Sequence, residues 1–219
     1  MPASFFYLHG FASSPGGAKI VALRERLAAH GHTLHAPDLN APSFEQMTLT
    51  AMIAMIAREV AAAPPGPVYL IGSSLGGFAA LHFLDRYQGR AGERVAKLML
   101  LAPALDFPRR FEAAFSADGL AHWHADGSFP IMHYAHQAEL PLHYGFLQDA
   151  QAYSPGCDLA LALPILILHG QHDEAVPVAL SEQFAAGREN ITLHVLDTDH
   201  GMLDKVDEIW EALVAFFAL

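Results

Sequence analysis

The tightest constraint on this chain is the run Gly72-Ser73-Ser74-Leu75-Gly76-Gly77, set between the apolar stretch Val68-Tyr69-Leu70-Ile71 and an alanine-rich stretch of helix formers. A strand that gives way to a helix so abruptly must turn a sharp corner. The G-x-S-x-G spacing is that of a nucleophile elbow, where the serine takes a strained backbone conformation and its hydroxyl projects from the top of a sheet. Gly72 and Gly76 omit Cβ atoms where strand and helix close on each other. The helix that follows turns its N-terminus toward charge developing beside Ser74. Taken alone, the motif also admits a reading as a Gly/Ser-rich turn with no chemistry. The rest of the chain must supply a base, an acid and oxyanion donors.

On either side of the elbow, strands and helices alternate. Phe5-Phe6-Tyr7-Leu8 reads as a buried strand ended by His9-Gly10. Ala18 to His30 reads as a helix with Ile20, Leu23 and Leu27 on one face, closed by Gly31. Thr33 to Ala36 is a short strand, and Phe44 to Ala63 a second helix with Ser43 as N-cap and Pro64-Pro65 as its stop. Val95 to Leu101 is another buried strand. After an interruption, strands over Ile165–Leu168 and Ile191–Leu196 alternate with helices over Val178–Ala186 and Val206–Phe217. The pattern predicts an α/β fold whose mostly parallel sheet carries helices on both faces. With no repeat or linker in the chain, residues 1–219 are expected to form one domain.

The interruption spans about residues 104–157. It is rich in aromatics and histidine, and is expected to be a lid or cap insertion between two halves of the sheet. His122-Trp123-His124 and Phe129 to Tyr134, joined by Ala125-Asp126-Gly127-Ser128, suggest a hairpin around an Asp-Gly turn. A helix is expected within Leu140 to Tyr153.

Composition narrows the function classes. At 219 residues, 53% hydrophobic and 16% charged, the chain is long and apolar enough for a full core. A net charge of −11 without Lys/Arg runs argues against nucleic acid or an anionic membrane as partner. The single cysteine, Cys157, excludes an intrachain disulfide and fits a reducing compartment. With no signal-peptide pattern and no apolar run of spanning length, a cytoplasmic location is expected. No P-loop or dinucleotide fingerprint is present, so no cofactor is expected. His122 with His124, and His133 with His136, have spacings that could hold a metal, but no carboxylate or thiolate pattern closes a site, and none is expected. Cys157, in apolar surroundings, reads as packing. Oligomeric state is not legible.

A serine hydroxyl needs a base to take its proton and an acid to orient that base. Two later strand-end loops carry candidates: His169 to Pro177 and Asp197 to Met202. Asp173 as acid and His200 as base give the chain order Ser, Asp, His of α/β-hydrolases. Glu174 is the rival acid. His169 and His172 are rival bases, though both precede the acid. Asp197 and Asp199 read as loop-forming. For the oxyanion, the backbone N–H groups of Leu75 and Phe11 are the expected donors, the second from the loop that opens with His9-Gly10.

Taken together, Leu8-His9-Gly10-Phe11 with Ser13-Ser14-Pro15, the elbow, Gly170-Gln171-His172-Asp173-Glu174-Ala175-Val176-Pro177 and Asp199-His200-Gly201-Met202 resemble a small α/β-hydrolase, a serine esterase of the YqiA/YcfP type. The same motifs are similar to those of ABHD10-like acyl-protein thioesterases. The resemblance covers residues 5–101 and 164–219 and leaves the insertion outside it. It implies an ester or thioester as small-molecule substrate. The expectation is a serine hydrolase cleaving carboxylic esters; the alternatives are a thioesterase with the same triad and a silent binding domain that keeps the fold.

Overall fold

The computed structural model describes residues 3–219. Six strands form one sheet in the order β2-β1-β3-β4-β7-β8, and every neighbouring pair is parallel. They are β1 (Ser4–Leu8), β2 (Leu34–His35), β3 (Val68–Ser73), β4 (Val95–Leu101), β7 (Ile165–Gly170) and β8 (Ile191–Leu196). A separate antiparallel pair, β5 (Ser128–His133) and β6 (Ala138–His143), lies within the insertion.

The apolar runs of the central strands bury both faces, because successive side chains point to opposite sides. Phe6, Leu8, Leu70, Leu98, Leu100 and Ile167 enter one core with α2 (Leu49–Ala62), α3 (Leu75–Arg86) and α7 (Val178–Ala185). Phe5, Tyr7, Ile71, Met99, Leu101 and Leu168 enter the other with α1 (Ala18–Ala29) and α8 (Val206–Phe217). The expected α/β architecture with helices on both faces is therefore present. No helix among the described residues is long and apolar enough to cross a membrane.

Two local expectations are corrected. The second helix begins at Leu49, where the Thr48 side chain accepts from the Ala51 amide at 3.0 Å; Ser43 caps only a turn, accepting from Gln46. Residues expected to form the first arm of a hairpin are instead helical: α5 (Ala117–Asp126) starts at an N-cap Ser116 and ends at Gly127, whose φ of 76° is left-handed. A glycine after an aspartate serves a helix C-cap as well as a hairpin turn, and here the cap prevails. The hairpin lies one step later, as β5 and β6, with its reversal at residues 134–137.

The insertion packs on the first core. It contains α4 (Phe107–Ala113), α5, the hairpin and α6 (Gly145–Ala150), the last falling within the helix expected there. Trp123 is fully buried and donates its indole N–H to Leu142 O at 2.8 Å, locking α5 onto the hairpin. The Tyr134 amide donates to Ala12 O at 3.0 Å, tying the hairpin to the loop after β1.

Candidate active site

The elbow forms where the glycines permit it. Ser74 has φ 51° and ψ −118°, a conformation that costs a non-glycine residue energy and persists only when its surroundings fix it. Its amide donates to Leu101 O at 2.9 Å, and its carbonyl accepts from Gly77, Phe78 and Ala104. A Cβ on Gly76 would lie 2.1 Å from Leu8 O, and one on Gly72 would lie 2.7 Å from Gly77 Cα. Only glycine fits at either position.

Ser74, His200 and Asp173, distant in sequence, meet in one hydrogen-bonded series at the carboxyl ends of the strands. His200 Nε2 is 3.1 Å from Ser74 Oγ, and His200 Nδ1 is 2.7 Å from Asp173 Oδ2. A Cβ on Gly170 would lie 2.4 Å from Asp199 O, so that glycine lets the loops carrying Asp173 and His200 pack against each other.

Asp173 has a buried side chain, and four donors surround its carboxylate. Oδ1 accepts from the Ala175 and Val176 amides at 2.9 and 2.7 Å. Oδ2 accepts from His200 and lies 3.1 Å from His169 Nε2. Burial by itself would raise the carboxyl pKa. The bonds from His169, His200 and the Val176 amide outweigh it and hold Asp173 well below the usual carboxylate range. An ionised carboxylate only accepts, so Nδ1 of His200 carries the proton and Nε2 is left to accept from the Ser74 hydroxyl.

The rival residues fall elsewhere. His169 is fully buried; its Nε2 faces both Val176 O at 2.9 Å and Asp173, so that nitrogen is the donor and Nδ1 accepts from Ser181 Oγ at 2.7 Å. It contacts Asp173 and does not reach Ser74 in any hydrogen bond among the described residues. Sequence reasoning missed this contact, although the spacing of four from Asp173 at a strand end was visible. His172 is on the surface, 2.8 Å from Asp197. Glu174 is exposed and makes no bond to His200. Asp199 turns its own loop, accepting from the Met202 amide.

The loop after β1 lies against the elbow, since a Cβ on Gly10 would be 3.2 Å from Ser74 Cβ. His9 braces that loop. Its Nε2 accepts from the Leu39 amide at 2.9 Å, its Nδ1 donates to Gly10 O at 2.9 Å, and burial pushes its pKa down, so it is neutral. Leu75 opens α3, so its amide has no acceptor within the helix. Phe11 follows Gly10, and its ring packs at 5.1 Å from Phe111 and 5.6 Å from Phe146, both in the insertion.

A cavity of about 910 Å³ opens over Ser74 and His200. Phe11, Phe107, Phe111, Ala104 and Val176 give it an apolar lining, with Ser13, Lys19 and Gly201 also on its surface. Among the described residues no group of three or more side chains suited to a metal ion occurs. His122 and His124 lie on helix α5, while the rings of His133 and His136 are tilted against each other with centroids 4.5 Å apart. Cys157 is half-buried, and burial raises its thiol pKa, which disfavours the nucleophilic thiolate.

Known proteins share this architecture. The mitochondrial palmitoyl-protein thioesterase ABHD10 of Homo sapiens is 26% identical over 221 residues, covering 92% of this chain and 68% of the relative. Among solved structures, alpha/beta hydrolase domain-containing protein 10 from mouse superposes with a TM-score of 0.78 at 22% identity, covering 100% of this chain and 90% of that one. Est1E from Butyrivibrio proteoclasticus, with ferulic acid bound, superposes with a TM-score of 0.82 at 22% identity, covering 100% and 88%. At such identities the superpositions establish the α/β-hydrolase fold. A model of an uncharacterised protein family, UPF0227, matches residues 4–218, and the chain belongs to that family.

Proposed function

We propose that this chain is a serine hydrolase that cleaves carboxylic esters. Ser74 Oγ attacks the acyl carbon while His200 Nε2 takes its proton. Asp173 holds the imidazole tautomer and stabilises the imidazolium. The Leu75 and Phe11 amides donate to the tetrahedral oxyanion. His200 then returns the proton to the leaving alcohol, and water, deprotonated by the same base, releases the acid. The observation that carries this reading is the unbroken series Ser74–His200–Asp173 beside a cavity, with the serine at positive φ. Residues 104–157 act as a cap that walls the acyl pocket with Phe107 and Phe111.

Acyl thioesters are the second reading, favoured by the thioesterase relatives and by the apolar lining. A fluorophosphonate probe tests the serine chemistry. The native protein should be labelled, and Ser74→Ala should abolish both labelling and turnover. Unchanged labelling of the Ser74→Ala protein overturns the assignment. Matched butyryl and palmitoyl esters and thioesters then decide the acyl length and the heteroatom.

A further inference from the structure

Lys19 stands out among the cavity residues. It comes from the first turn of α1 and lines the cavity that Ser74 and His200 also line. Its Nζ donates to Gly201 O at 2.7 Å, the carbonyl of the residue after the base. The side chain is half-buried, and no carboxylate lies within 4.0 Å of its ammonium among the described residues. The nearby carboxylates have other bonds: Asp173 to the two histidines and two amides, Asp199 to the Met202 amide. Buried charges in proteins are normally paired. A chain of net charge −11 has acids to spare, yet leaves this ammonium with a single main-chain acceptor. Burial lowers its pKa to about 8 against the pull of Asp199 and Asp173, so it remains mostly charged near neutrality.

Its position also says which part of an ester it meets. A base that returns its proton to the departing oxygen has the leaving group on its own side. The proposed oxyanion donors are the amides of Leu75, at the start of α3, and of Phe11, in the loop after β1. Lys19 is bonded to the residue next to His200, which puts it on the leaving-group side, and the aromatic residues of α4 are left to the acyl chain.

We propose that Lys19 is a specificity-determining residue that binds a carboxylate or phosphate on the alcohol portion of the substrate, so that the preferred esters join an apolar acyl group to an anionic alcohol. This rests on the serine-hydrolase reading above. Two other charged residues line the cavity: Arg110, which is exposed and donates to Ala175 O, and Glu174, also exposed.

The test compares 4-carboxyphenyl butyrate with its neutral methyl ester, 4-(methoxycarbonyl)phenyl butyrate. Wild type should favour the carboxylate in kcat/KM. Lys19→Gln, which keeps a donor for Gly201 O, should lower the ratio of the two kcat/KM values by about ten- to hundredfold, the usual effect of losing a hydrogen bond to a charged group. Lys19→Arg should retain most of the preference. A phenyl phosphate analogue, 4-phosphonooxyphenyl butyrate, distinguishes the two anions. Equal losses on both esters would make Lys19 a tether of the His200 loop and overturn the proposal. So would a wild type indifferent to the charge, or a preference removed by Arg110→Gln and not by Lys19→Gln. The wild-type comparison stands even if a variant fails to fold. Failure of the underlying reading looks different: no ester is cleaved and no fluorophosphonate label appears.

Discussion

At the scale of single residues, Asp173 carries the clearest consequences. Asn in its place offers an amide where the carboxylate accepted bonds from both His200 and His169, and so disturbs the tautomer more than the packing. Turnover of Asp173→Asn should fall by about 10⁴-fold, the effect seen when a triad acid is replaced in this way; a steady-state ester assay reads it. The depressed pKa also has a stability consequence. Because the folded value lies below the unfolded value of about 3.9, the stabilisation is fully present above that pH and is lost as pH falls toward the folded value. The melting temperatures of wild type and Asp173→Asn should therefore converge as the buffer is taken below about pH 4. The convergence of Ser74, His200 and Asp173 was legible in sequence from their loops and their order. The role of His169 was not. A histidine at a strand end reads as a candidate base, and only the fold turns its ring toward Asp173 and Ser181.

At the scale of elements, the main sheet's strands were legible because parallel strands buried on both faces are short apolar runs with few rivals. The insertion was harder to read. Its Asp126-Gly127 pair suits both a hairpin turn and a helix end, and the capping side chain of Ser116 lies ten residues upstream, outside a local turn pattern. Trp123 tests the packing of this region. It is fully buried with its indole N–H satisfied, so Trp123→Ala should cost about 3–5 kcal/mol and lower the melting temperature by roughly 10 °C in a chain of this size. Gly170→Ala tests the loops. Its Cβ would fall 2.4 Å from the main chain of Asp199, so the acid and base loops must separate. Both thermal stability and kcat should drop, with a larger fractional loss in kcat, read by parallel melts and ester kinetics.

At the scale of the whole molecule, the two faces of the sheet have different duties. The face covered by α1 and α8 is closed by a compact core, while the other continues past α2 and α3 into the insertion. Deleting β5 and β6 as a unit would expose the core around Trp123 and Phe146, and the variant should bind a dye for exposed apolar surface; a circular dichroism spectrum with its helix and strand signals retained would show that the α/β sheet persists. Lengthening or shortening substrate acyl chains should affect KM before kcat, because the aromatic walls of the cavity, Phe107 and Phe111, lie on α4, apart from the loops of Ser74, Asp173 and His200.

Phe11 is the exception to that separation. Its ring belongs to the aromatic cluster with Phe111 and Phe146, and its amide is the proposed second donor to the oxyanion. Reshaping the pocket through α4 or α6 therefore presses on a ring whose own backbone serves the reaction. Lineages that broaden their diet by altering these aromatics should pay in rate until a compensating change resets the loop after β1. Directed evolution toward bulkier acids would meet the same ridge: early winners should carry paired changes, one in the cluster and one between His9 and Ser13.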